Sequence, residues 1–421
     1  MPAVPKHVVP VVVQQHAEES AILRNIRSAL VAAPHVKLHH LRRLDDRIAA
    51  HLDGLAVAGE YGSELCDAAL ENPGAGEVFA VAVRALESRD ARRLDRLFAL
   101  AAAVPDAWRG LISAFGWVSG SSLQGTIKEL LASKDPLRRC VGIVACTMHR
   151  VDPVGVLDAA IADPDVHLRG RALRAAGEVG RLALQGACLR AMGDEDPACR
   201  FWAAWSALLL GERRESIRAL VRIADQPGPF RERALRAAMS GAELRDSQAY
   251  LKRLSQDPAR VRDLIQAVGV VGDPHFVPWL IRQMADPKAT RLAGEAFSLV
   301  TGLDLSFLDL DKRPPEGIET GPTENPDDED VAMDPDDSLP WPDAAKVQAW
   351  WAANGARLQP GARCFMGQPI DRQNCLRALR EGFQRQRAAA ALHLCLLNPG
   401  TPFFPVRAPA WRQQRWLARM G

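Results

Sequence analysis

The chain has 421 residues, 48% of them apolar and 25% charged, and its 53 Lys and Arg offset 51 Asp and Glu to a formal net charge of +2. That apolar fraction excludes wholesale disorder, and the balance excludes a polyelectrolyte that grips nucleic acid by bulk charge. Only two Tyr accompany abundant Ala and Leu, which argues against an all-β chain.

The valine-rich run after His7 is interrupted by Pro10 and is too short for a secretory core of about 7–15 residues. No window approaches about 18 uninterrupted apolar residues, so no membrane span and a cytoplasmic location are expected. The eight Cys (66, 140, 146, 188, 199, 364, 375 and 395) form no CxxC pair and read as buried free thiols of a reducing compartment. Residues 14–33 and 36–53 read as helices, the first with Ile22, Leu23, Ile26 and Leu30 on one face, the second ending at Gly54. They are expected to belong to an N-terminal helical cap over residues 1–72.

From residue 73 the chain repeats. Pro73, Pro105, Pro136, Pro164, Pro197, Pro227, Pro258 and Pro287 recur with a period near 30. Five of them follow Asp: Asp135, Asp163, Asp196, Asp257 and Asp286. Asp accepts a bond from an orphan N–H at a helix start, and proline suits the first position, where its missing N–H has no partner. Apolar residues follow at helical spacing, as in Cys140, Val141, Val144, Ala145 and Met148, or Phe201, Ala204, Trp205, Leu208 and Leu209. Gly120, Gly177, Gly211, Gly241, Gly272 and Gly302 are expected to end these first helices, and a second helix follows each. The unit at Pro136 turns instead at Val151-Asp152-Pro153. Residues 73–308 therefore read as about seven to eight helix–turn–helix units. They resemble the short HEAT-like repeats that stack into all-α solenoids.

Residues 309–343 break the pattern with 13 acidic residues, two basic residues and seven prolines, a net charge of −11. This composition predicts a disordered acidic linker. Residues 344–421 carry twelve Lys and Arg against two acids, a net of +10, yet retain enough apolar weight for a C-terminal helical unit with helices around Leu376–Phe383 and Leu392–Leu396.

No chemistry-bearing constellation stands out. His35 and His39 are spaced to share a helix face, but no third ligand or HExxH accompanies them. Asp45 and Asp46 are adjacent, point to different faces and read as helix-surface residues. No Gly-rich phosphate loop and no GxSxG elbow occur. No catalytic residue, metal, cofactor, membrane partner or small-molecule substrate is expected. The candidate partner-binding residues are Asp327, Asp328, Glu329, Asp330, Asp334, Asp336 and Asp337. They could bind a basic protein or neutralise the basic tail in cis. The tail's Arg372, Arg377, Arg380, Arg385, Arg387, Arg412, Arg415 and Arg419 could touch phosphates, and Trp411 and Trp416 could stack on bases. Pairing with carboxylates is the preferred reading, so nucleic acid is not the expected partner.

The stretch His39–Gly59 and the run Gly76-Glu77-Val78-Phe79-Ala80 resemble the N-terminal signature of a proteobacterial HEAT-like repeat family encoded near type VI secretion genes. Arg363–Pro369 and Arg407-Ala408-Pro409-Ala410 are similar to its tail patterns. The resemblance implies an immunity protein that neutralises a cognate type VI effector toxin, such as a nuclease, in the cytoplasm. An effector-loading adaptor is the first alternative, and a nucleic-acid-binding HEAT solenoid the second. The family offers no catalytic motif.

Overall fold

A computed structural model describes residues 8–316 and 334–421. The helices are, in order, α1 (Pro10–Leu30), α2 (Leu38–Val57), α3 (Gly59–Ala68), α4 (Ala75–Ser88), α5 (Ala91–Ala103), α6 (Pro105–Trp117), α7 (Thr126–Ala132) and α8 (Pro136–Met148). Next come α9 (Val156–Ala160), α10 (Val166–Val179), α11 (Gln185–Ala191), α12 (Pro197–Leu209), α13 (Glu215–Ala224), α14 (Arg231–Gly241), α15 (Leu244–Leu254), α16 (Val261–Val271), α17 (Val277–Gln283) and α18 (Thr290–Thr301). Strands β1 (Asp311–Lys312) and β2 (Trp341–Pro342), then α19 (Ala344–Asn354), β3 (Cys364–Phe365), β4 (Gln368–Pro369), α20 (Arg372–Glu381), α21 (Gln384–Leu397) and α22 (Ala410–Arg419) complete the chain.

Two Asp-Pro anchors start α-helices as their chemistry dictates, whereas Asp257-Pro258 opens a 3-10 turn ahead of α16 and Pro287 lies three residues before α18. Asp135 accepts from the Leu137 N–H at 2.9 Å and Asp196 from the Cys199 N–H at 2.7 Å, each ahead of a proline at the first helical position. The anchor at Asp163-Pro164 is shifted. Asp165 caps α10, while Asp163 accepts from the Asp165 N–H and pairs with Arg139 at 2.9 Å. Similar pairs tie neighbouring repeats together, as when Arg169 bridges both oxygens of Asp194 at 2.7 and 3.2 Å.

The chain divides into two compact units, Met1–Leu210 with Pro399–Gly421, and Gly211–Asn398. In the first, α4, α6, α8, α10 and α12 stack in series, with α5, α7, α9 and α11 packed against them and α1 and α2 covering the start. In the second, α14, α16 and α18 form the series and α13, α15 and α17 the other layer. Each unit is thus an all-α stack of helical hairpins, and β1–β2 and β3–β4 are two-residue antiparallel ribbons. The fully buried Phe79, Phe115 and Phe201 fill the first unit, and Phe297 and Leu280 the second. All eight Cys are free and buried. Burial pushes the Cys66 and Cys188 thiols up to about 12.

The units differ from the expected boundaries 1–72, 73–308, 309–343 and 344–421. The tail is not one body: residues 344–398 belong to the second unit and 399–421 to the first. Residues 309–316 and 334–343, expected in a disordered linker, have defined places, because Leu310, Leu339 and Trp341 are buried and β1 pairs with β2. Several glycines also differ: Gly120 lies past the Val118 cap of α6, and Gly241 is the last residue within α14, neither at positive φ. Gly54 does not end α2. It lies inside the helix against the His16 ring, where a side chain would collide. Gly177 lies within α10 and lets Ser206 of α12 approach, while Gly180 takes the left-handed cap at φ +73°. Gly272 and Gly302 do end α16 and α18, in that conformation.

Candidate partner-binding surface

The last turn of a helix leaves carbonyls without partners. In both units the tail supplies donors to such ends. In the second unit the Arg363 guanidinium donates to the carbonyls of Met239 (2.8 Å) and Ala242 (2.6 Å) at the end of α14, and to Ser247 Oγ. The Cys364 N–H donates to Gly272 O at 2.8 Å, and the Met366 and Gly367 N–H groups donate to Leu299 O and Val300 O in α18. Asn374 closes the β3–β4 ribbon by donating to Phe365 O and Pro369 O.

In the first unit Arg412 does the same work. Its guanidinium donates to Gly116 O, Trp117 O and Val118 O at 2.6, 3.1 and 2.7 Å. Burial, then Arg415 and Arg27, pulls this guanidinium down to about 10. The Phe403 N–H donates to Glu178 O at 2.8 Å. Asp45 is fully buried. It accepts from the Ala410 N–H at 2.6 Å and from Arg27, whose other bonds reach Arg407 O and Ala408 O. Asp46 stays exposed beside Arg42. The neighbouring carboxylates do face different ways, but Asp45 is a structural residue and not a helix-surface one. The stretches at 363–369 and 407–410 therefore serve docking of the tail.

The acidic candidates separate into three groups. Asp327, Asp328, Glu329 and Asp330 lie outside the described residues. Asp334 and Asp336 are committed within the second unit. Asp334 pairs with Arg291, and Asp336 holds Arg262 bidentately at 2.6 and 2.9 Å, while Arg291 also donates to Asp336 O. Burial opposes ionisation of Asp334, yet the Asp336 N–H and Arg291 hold its carboxyl below the usual range. Asp337 is exposed and accepts from Ser338. The acidic segment thus pairs with arginines of the repeats at these two positions. Contact with the tail is narrower: Lys346 to Asp309 at 3.1 Å, and Arg385 to Pro335 O.

Beside this strap stands a loop that the sequence reading passed over. Phe307 is 84% exposed and Leu308 42% exposed. The loop is nonetheless fixed. The Phe307 N–H donates to Asp304, Leu308 N to Asp304 O, Leu310 N to Leu305 O at 2.8 Å, and Ser306 Oγ to Asp311 at 2.6 Å. Asp309 takes a left-handed φ of +55°, and its side chain is 91% exposed. The Asp343 N–H closes the base by donating to Leu310 O. The exposed aromatic thus stands on a hydrogen-bonded loop, flanked by Asp304, Asp309 and Asp311. The signal in the sequence was the run Leu303–Leu310, where Asp alternates with large apolar residues.

His35 lies in the turn before α2, so it does not share a helix face with His39. No group of three or more His, Cys, Asp or Glu is placed to hold a metal among the described residues. No helix among them is long and apolar enough to cross a membrane. One recess of the first unit, about 440 Å³ beside Leu131, Cys146 and Pro153, is apolar and open.

Residues 154–240 match the family model described as HEAT repeats. The chain carries HEAT repeats. The matched segment runs from the loop before α9 to α14 and includes the capped starts of α10 and α12. No curated protein matches the chain. HEAT repeats are interaction-type scaffolds, and the described surface offers them an acidic, aromatic-tipped edge in the second unit.

Proposed function

We propose that this HEAT-repeat chain is a protein-binding immunity factor. Its partner is the cognate effector toxin of a type VI secretion system, of nuclease type, which it neutralises in the cytoplasm without enzymatic activity of its own. One observation carries the proposal: Phe307 stands exposed on a hydrogen-bonded loop among carboxylates. A hydrogen-bonded loop needs little backbone ordering on binding, and its aromatic fills an apolar cup. The surrounding carboxylates complement a rim of Lys and Arg, which a nuclease must have to hold phosphates, and they speed encounter. Further support comes from the repeats themselves and from the resemblance carried by His39–Gly59 and the tail motifs.

The test is co-expression with the toxin encoded beside this protein. Cells making the intact protein are expected to survive, and cells making the Phe307→Asp variant at equal level to die. Killing in the presence of the intact protein would remove the proposal.

A further inference from the structure

The first unit carries a second charged face, independent of the acidic edge. It is built from α2 and α22. Ala410 at the start of α22 bonds Asp45, and Gln414, four residues on, meets Arg42 at 3.4 Å. Helix α22 therefore runs antiparallel to α2, along its N-terminal half. One side of α22 is buried through Arg412, Gln413 and Leu417. The other side carries Arg415 and Arg419, both exposed. On α2 the exposed residues include His39 and Arg43. Each pair is spaced i, i+4, about 6 Å along a helix axis. Arg43, Arg415 and Arg419 have no carboxylate partner among the described residues. The positive groups also crowd one another: after burial, His39, Arg43, His35 and Lys37 lower His40. Asp46 is the one exposed acid in the span 35–47, and it is paired to Arg42.

The ligand class follows from what this face lacks. A protein interface needs an apolar centre. The exposed large apolar residues of this unit lie at Val9, Val11, Val12, Ile22, Ile26, Val57, Val151, Val154, Val166 and Leu182, and none lies in 35–47 or 407–421. Single-stranded ligands need free aromatic platforms. Trp411 instead packs edge-on to Trp117 at 4.6 Å, and Trp416 packs against Phe404 beneath Arg150. What remains is guanidinium forks in helical rows, a geometry suited to phosphate oxygens.

We propose that the α2–α22 face binds the phosphate backbone of duplex nucleic acid without reading its sequence. The near-neutral total charge does not oppose this, because the attraction is local and falls off within a Debye length of about 10 Å.

The experiment is fluorescence anisotropy of the full chain with a short labelled DNA duplex, titrated between about 50 and 200 mM salt. Binding is expected to weaken steeply with salt. The triple variant Arg43→Ala, Arg415→Ala, Arg419→Ala is expected to flatten the slope of log K against log salt by about 0.9 for each lost contact. Its circular dichroism should be unchanged, since all three side chains are exposed. An Arg92→Ala control on α5 should bind like the parent. No binding at low salt would overturn the proposal, as would a triple variant that binds like the parent. Displacement of the duplex by poly-glutamate as readily as by unlabelled DNA would overturn it too, and would assign the face to an acidic protein.

Discussion

Arg412 and Arg415 sit three residues apart on one helix and do opposite things. Arg412 is buried and caps the end of α6 with three bonds, whereas Arg415 is exposed and has no carboxylate partner among the described residues. The acidic segment divides the same way: Asp334 and Asp336 are held by Arg291 and Arg262, while Asp309 and Asp337 face solvent. Charge counted along a sequence does not say which charges remain available to a partner. Among the described residues, part of the segregated charge holds the fold and part lies at the surface.

That contrast breaks most sharply at Arg412. Arg412→Ala should destabilise the chain by about 3–5 kcal/mol, because it leaves the α6 carbonyls buried without donors. Arg415→Ala should change stability by less than about 0.5 kcal/mol. Urea unfolding of the two variants side by side reads the difference, and equal midpoints would refute it. Tail docking is tested next by Gly272→Ala. A Cβ there would lie 2.1 Å from Cys364 O, at a φ of +71°. A loss of about 2 kcal/mol or more is expected, from backbone strain and displacement of the β3–β4 ribbon.

A pH effect of intermediate size comes from two histidines, the buried His393 and the half-buried His149. Burial, then Arg412, lowers His149 to about 4, and burial, then Arg363, lowers His393 to about 4. The unfolded chain takes up protons near pH 6.5 that the folded chain refuses until about pH 4. Stability should therefore be intact above that window and fall through it as pH drops, by about 1.4 kcal/mol per pH unit for each histidine. His149→Gln should remove its share of the slope, as read from unfolding midpoints at several pH values. The smallest effect on the fold is expected at Phe307, where Ala should leave stability within about 0.5 kcal/mol, since the ring has little buried area to lose.

The array was legible because its causes are local. An Asp-Pro start, a helical apolar stripe and a terminal glycine act within one helix, and Asp135, Asp196, Gly272 and Gly302 behave accordingly. What depends on distant chain was not legible. Nothing near Asp45 announces that Arg27 and the Ala410 N–H will bury it, while Asp46 beside it stays in water. Nothing near Gly177 reveals that Ser206 needs the space and that Gly180 will serve as the cap. Composition correctly marked 309–343 as poor in apolar residues, but Leu310, Leu339 and Trp341 suffice to seat the parts described. The candidate surface was half visible: the acids were singled out, and the aromatic they surround was not.

The central claim, that the Phe307 edge grips a basic toxin, is tested most directly by calorimetric titration of the intact chain with the cognate effector. Tight binding is predicted for the parent, with a loss of at least about 30-fold, near 2 kcal/mol, for Phe307→Ala at unchanged stability. Equal affinity of the two proteins for the toxin would contradict the account.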